Sequence, residues 1–315
     1  MAEAPPACSA HDVPMIDSCP PRAAGTPQSV TRARADRPVI LGTLIGLFAL
    51  AIAVTMLRNP QGVVVSADPG YAPVALPLLL APAAFAIVVT LLLPTERGGS
   101  TVAVRRRRSA LGEAWGLIAL ALGFTLLVPV LPLPEDYILL KAALFLVVPV
   151  VVLGVLGRRR GHSLRIERSQ VAPWIMLGPV LVLGVLSSVG PFASGMPSSW
   201  PHLAVLVIAA TATAITAGVG EEVLYRRLLQ TRLEGLTGPW TGILAASLLF
   251  GLMHAFSHGE GPLWADGLQA IALQGTTGIA LGVIWARWRR LWACVLAHVL
   301  LNGLVVILHL LDVLT

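Results

Sequence analysis

The sequence predicts an all-α fold, a polytopic transmembrane helical bundle with about nine membrane-spanning helices. Three observations predict it. The 315 residues are 56% hydrophobic and only 12% charged, with mean hydropathy +0.81, and a soluble domain of that balance lacks the polar groups to cover its surface. Apolar stretches recur at the length of about 20 residues that carries a helix across a bilayer. The basic residues gather in the short segments between those stretches.

Residues 1–36 are rich in Pro, Ala, Ser and Arg and carry no periodic apolar pattern, so they read as a disordered cytoplasmic tail. No apolar core follows a short basic start, which argues against a cleavable signal peptide. Spans are expected near 38–57, 72–94, 110–132, 137–157, 173–194, 202–222, 240–257, 268–286 and 291–311. Prolines 73, 77, 82 and 129 fall inside spans, where neighbouring helices re-satisfy the freed backbone groups. Three units follow: the tail, N-terminal helices over 37–195 with no assigned role, and a C-terminal bundle over 196–315.

The connecting segments sort by charge. The tail and segments 95–109, 158–172, 223–239 and 287–290 are basic; the alternate segments 58–71, 133–136, 195–201 and 258–267 carry few positive residues. This alternation places the chain in the cell membrane with its N-terminus in the cytoplasm and its C-terminus outside. The net charge of +6 is thereby explained without a nucleic-acid partner. Lys141 is the only lysine, and near-exclusive use of Arg with much Ala, Leu, Val and Gly points to a GC-rich bacterial genome. Cys8, Cys19 and Cys294 form neither a disulfide framework nor a Cys-based zinc site.

Small residues mark close helix packing. Gly278 and Gly282 form a GxxxG pair, and Ala210, Ala214 and Gly218 recur at every fourth position.

Three polar islands interrupt the C-terminal spans: Glu221-Glu222-Val-Leu-Tyr-Arg226, Phe250-Gly-Leu-Met-His254 and His298-Val-Leu-Leu-Asn302. A charge at the bilayer centre costs about 2.5–3.5 kcal/mol on insertion scales, so such groups persist when they pair, line a wet cavity or do chemistry. The segment Gly235-Leu-Thr-Gly238-Pro239 is a helix stop followed by a helix start. Glu221 and His254 are equally distant from it and so share one depth in an antiparallel hairpin. The charged segment Arg226–Glu234 is expected to project into the cytoplasmic interface, which puts Glu221 and His254 on the order of 10 Å below that surface. His298 enters after Arg290 and reaches roughly 11–12 Å. Asn302 shares the His298 face one turn on.

Glu222 and Arg226 are spaced i,i+4 with the acid first, the favourable ion-pair order, so they read as a structural pair that leaves Glu221 the freer carboxylate and the candidate base. The bland alternative makes both Glu and Arg interfacial anchors. His254 is a partner for water activation, a metal ligand or a packing residue. His298 and Asn302 are candidate donors to an oxyanion. Alternatively His298 completes a Glu221, His254, His298 metal set, for which zinc is the candidate ion. His258 falls beyond a break at Ser257 and reads as loop; His309 reads as interfacial, and His11, His162 and His202 as tail or loop residues. Glu113 and Lys141, each one turn into a span, read as side chains that snorkel to an interface. The Arg105–Arg108 run reads as a topology determinant with affinity for anionic lipid.

Taken in order, Glu221-Glu222-x-x-x-Arg226, Phe250-x-x-x-His254 and His298-x-x-x-Asn302 resemble the three motifs of the CPBP family, the CAAX-protease and bacteriocin-processing intramembrane endopeptidases, also called the Abi family, which includes the type II CAAX prenyl proteases. The resemblance covers about residues 200–310. It implies an all-helical membrane fold and hydrolysis of a peptide bond in a peptide or membrane-protein substrate. It also implies that Glu221 and His254 activate water, with His298 and Asn302 binding the oxyanion or a metal and Glu222, Arg226 and Phe250 in support. A non-enzymatic membrane scaffold, regulator or immunity-type protein is the alternative. A proton-relay transporter ranks last, because no inverted repeat is evident.

Overall fold

The computed structural model describes residues 31–32, 35–65, 71–95, 101–131, 136–193, 195, 199–256 and 262–314. Its described residues form nine helices. These are α1 (Pro38–Arg58), α2 (Leu76–Leu92), α3 (Arg107–Val130), α4 (Asp136–Arg159), α5 (Pro173–Leu186), α6 (Leu203–Thr237), α7 (Pro239–Leu252), α8 (Leu263–Trp288) and α9 (Leu291–Leu314). The helical bundle expected from the sequence is the observed architecture. Six helices are long and apolar enough to cross a membrane: α1, α3, α4, α6, α8 and α9. The other three are shorter. At 14 residues, α5 and α7 are about 21 Å long, less than the ~30 Å hydrocarbon core.

A small antiparallel sheet, absent from the sequence reading, joins the basic ends of the bundle. Strands β1 (Thr31–Arg32), β2 (Val102–Val104) and β3 (Leu164–Ile166) lie in the order β1-β2-β3. Val104 packs with Ala110, Ala114 and Leu236, so the sheet covers the end of α6. The tail expectation is corrected at its C-terminal edge. Thr31 and Arg32 pair with β2, and Asp36 Oδ1 accepts the Thr241 N–H at 2.8 Å. Residues 1–30, with Cys8, His11 and Cys19, lie outside the described residues.

The largest departure is α6. The sequence ends a span at 222 and places a basic loop over 223–239, whereas the helix runs unbroken for 35 residues to Thr237. Arg226, Gln230, Thr231 and Glu234 are buried rather than interfacial. Each of these side chains meets at least one partner inside the bundle, which lessens the need to reach water. Glu234 pairs with Arg289, Gln230 donates to the Gly282 carbonyl at 2.8 Å, and Arg232 pairs with Glu113 at 2.8 Å. Glu113 also accepts from Ser109 and Ser163, so it is the centre of a network and not a snorkelling anchor.

The expected helix stop is observed. Gly238 has φ +109°, a conformation open to glycine, and Pro239 opens α7. The hairpin that follows is tight. A Cβ on Gly242 would lie 2.4 Å from the Glu234 amide nitrogen. The small-residue signals also mark contacts. Gly218 faces Val299, Gly278 faces Phe250 and Ser247, and Gly282 faces Gln230.

Candidate active site

The turns of α6 from Ala214 to Gln230 are wound in the wider π form, which is rare and recurs at functional sites. Wider winding narrows the angular step between neighbours, so the adjacent Glu221 and Glu222 both enter the bundle. Both are 0% exposed. His298 comes from α9 and is 3% exposed. Its Nδ1 lies 2.8 Å from Glu222 Oε1, and its Nε2 lies 3.9 Å from Glu221 Oε2. An ionised carboxylate only accepts hydrogen bonds, so Nδ1–H donates to Glu222, and in a neutral ring the lone pair then sits on Nε2, toward Glu221.

Phe250 of α7 is the hub of the second motif. Its ring lies 5.3 Å from Tyr225, 5.2 Å from His254 and 5.9 Å from His298, centroid to centroid, with the Arg226 guanidinium 4.5 Å above it. His254 is not on the helix, as the sequence suggested, but in the turn that follows α7. The break lies a few residues earlier than Ser257. His254 Nδ1–H donates to the Phe250 carbonyl at 2.9 Å. Ser257, His258 and Gly259 lie outside the described residues. The i,i+4 pairing of Glu222 with Arg226 is observed, Oε2 to Nε at 3.3 Å.

Two expectations about Glu221 are overturned. It is not the freer carboxylate, because Lys141 Nζ of α4 donates to Oε1 at 2.7 Å. Lys141 is buried, so it does not snorkel. The sequence held a signal for it, a lone lysine inside an apolar span, which the snorkelling reading discarded because it lay near a helix end. The depth is also revised. Glu221 lies sixteen residues from Thr237, His254 fifteen from Pro239 and Lys141 eighteen from Arg159, which is roughly 22–27 Å along each axis from the basic end of the bundle. The shallower figure from Arg290 fails because the α8–α9 turn is sunk into the protein. Trp288 is 0% and Arg289 4% exposed.

Asn302, one turn past His298, is exposed, outside the buried cluster and on the side away from the basic end. His309 stacks on Trp200 at 4.1 Å, and His202 caps α6 through the Ala204 N–H. The candidate metal set does not fit as it stands. Among the described residues no group of three His, Cys, Asp or Glu side chains is arranged to hold a metal ion, and the Lys141 ammonium occupies one oxygen of the Glu221 carboxylate.

Buried acids and countercharges from α4 and α6, the buried His298 of α9 and the half-buried His254 after α7 thus form one cluster. Residues 203–304 match the family model described as type II CAAX prenyl endopeptidase Rce1-like. The motif resemblance holds over this segment. The Rce1-like segment contains all three polar islands and excludes Lys141. The chain is also similar to a Bacillus subtilis protein named "Putative membrane peptidase YdiL", at 26% identity over 98 residues. That alignment spans 31% of this chain and 36% of the relative, so the chain covers about a third of the length of the curated relative it matches. No solved structure matches the chain.

Proposed function

We propose that the protein is an integral-membrane endopeptidase that hydrolyses a peptide bond in a peptide or membrane-protein substrate. The observation that carries this reading is the 3.9 Å separation of Glu221 Oε2 and His298 Nε2. Two acceptors that far apart suit one water, at about 2.8 Å from each. Glu221 takes a proton from that water as it attacks the scissile carbonyl. His254, in the turn after α7, relays that proton from Glu221 to the leaving amine. The exposed amide of Asn302 donates to the tetrahedral oxyanion. In this scheme Glu222 orients His298, and Arg226 and Phe250 hold Glu222 and the two imidazoles in place. The match to the Rce1-like family and the similarity to a protein named as a membrane peptidase support the activity.

By charge, the Arg-rich end of the bundle faces the cytoplasm of a bacterial cell, with the N-terminus inside and the C-terminus outside. The site then lies in the interior of the bundle, 16 residues from the basic end of α6 and 18 from its other end.

The test is hydrolysis of a quenched peptide library by purified protein in nanodiscs. Wild type cleaves, and Glu221→Gln loses on the order of 10²–10⁴-fold in kcat, the span of general-base catalysis. Undiminished cleavage by Glu221→Gln would sink the reading.

A further inference from the structure

The segment that matches the Rce1-like family supplies the carboxylates and imidazoles, yet the Glu221 carboxylate is held by a residue from outside it. We propose that Lys141 of α4 is a positioning residue of the site, fixing one oxygen of Glu221 so that the other faces the reacting water. The inference rests on the hydrolase reading of Glu221.

Four observations carry it. Lys141 Nζ lies 2.7 Å from Glu221 Oε1, and both side chains are buried, at 10% and 1% exposure. The contact is built on both sides. The ammonium lies 5.7 Å from the Phe124 ring and 5.5 Å from the Tyr137 ring, within cation–π range of each. The backbones are fitted at the same level, with Gly220 facing Leu146 and the Phe145 ring set edge-on to Tyr225 at 5.7 Å. Beside Lys141, α4 passes into a π turn over Ala143–Val147, the same winding that α6 shows at Glu221.

The charges of the buried cluster balance only with Lys141 included. Glu222 is matched by Arg226, and Glu221 by Lys141. Without Lys141 the site holds an uncompensated buried carboxylate, a costly state that water or a proton must relieve. Its single hydrogen bond also sets rotation. With Oε1 on Lys141, Oε2 points at His298 Nε2. Lysine suits this task because it offers a compact point charge, whereas the arginine used everywhere else in the chain presents a wide fork.

The test uses full-length protein in nanodiscs and one peptide substrate. Lys141→Met is expected to lower kcat about a hundredfold with KM within about twofold, the pattern of a group that acts on the chemical step. Lys141→Arg is expected to fall between Lys141→Met and wild type, because it keeps the charge and displaces the contact. Adding Lys141→Met to Glu221→Gln is expected to cost nothing further, since the lysine acts through that carboxylate. A folded Lys141→Met enzyme with wild-type kcat, or further slowing of Glu221→Gln by Lys141→Met, overturns the proposal. If Lys141→Met does not fold, Lys141→Arg decides. A kcat at least about fivefold lower at unchanged KM supports positioning, and wild-type kcat overturns it. Full activity of Glu221→Gln is a separate result, because it overturns the hydrolase reading and not the lysine alone.

Discussion

Glu222 Oε1 and His298 Nδ1 lie 2.8 Å apart, across the interface of α6 and α9, with Glu222 fully buried. This bond fixes the ring orientation and puts the imidazole lone pair on the opposite edge, toward Glu221. The second oxygen of Glu222 lies 3.3 Å from Arg226 Nε, so the orienting carboxylate is itself held. A pair of adjacent acids thus divides its work: one directs an imidazole, the other faces the same imidazole from the far side.

Replacing the orienting acid should therefore uncouple geometry from chemistry. Glu222→Gln can turn its amide NH₂ toward Nδ1 and force the other tautomer. Peptide hydrolysis is expected to drop on the order of 10²-fold or more, as when the orienting acid of a catalytic triad becomes an amide. Steady-state kinetics in nanodiscs check this, with a ¹⁵N spectrum of the histidine rings reporting the tautomer.

Asn302 is exposed, so its removal leaves the packed interior alone. Asn302→Ala is expected to lower kcat by about 10²–10³-fold, the loss typical of one oxyanion donor. The thermal unfolding midpoint should stay at the wild-type value. A mutant of unchanged kcat would remove Asn302 from the reaction.

Gly242 carries α7 past α6, with no room for a side chain against Glu234. Gly242→Ala drives a methyl into backbone, which cannot rotate away. The expected cost is about 1–3 kcal/mol, read by chemical denaturation in micelles. Gly112, with open space around its Cβ position, is the control and should tolerate alanine.

Arg289 and Glu234 form a buried ion pair in which the arginine adopts φ 55° at the end of α8. Arg289→Met leaves a lone buried carboxylate and is expected to cost about 3–5 kcal/mol. Combining it with Glu234→Gln should recover a large part of that loss. The same denaturation measurement decides, and additive losses would argue that the two residues act separately.

Much of the bundle was legible in the sequence because lipid leaves few ways to satisfy a backbone. Apolar runs near twenty residues and alternating charge located all nine helices, and Gly238-Pro239 located the hairpin turn. Depth was misjudged for a physical reason. Charged residues near a helix end were assigned to water, but Arg226, Arg232 and Glu234 find countercharges on α3, α6 and α8 or its end. The partners of Arg232 and Glu234, Glu113 and Arg289, are remote in sequence, and no local pattern reports them. Lys141 and Glu113 were misread in the same way: each lies one turn into a span, where snorkelling and burial look alike until the partner is known. The short sheet escaped because two- and three-residue strands carry no period. Within the site, Glu221, Glu222, Arg226, Phe250, His254 and His298 come together as their spacing suggested, and Asn302 stays at the margin.

Asp36 stands two residues ahead of α1 and accepts the Thr241 amide at the start of α7. The stretch before the first membrane helix therefore grips the root of the hairpin whose far end bears Glu221 and His254. A partner or covalent mark that pulls on that stretch applies a torque at the root. Over roughly 22 Å of stiff helix, a turn of about 3° swings the tip by about 1 Å, a misplacement that can slow a reaction about 10²-fold. A stretch more than a hundred residues ahead of Lys141 in the sequence thus holds the base of the hairpin that bears the chemistry.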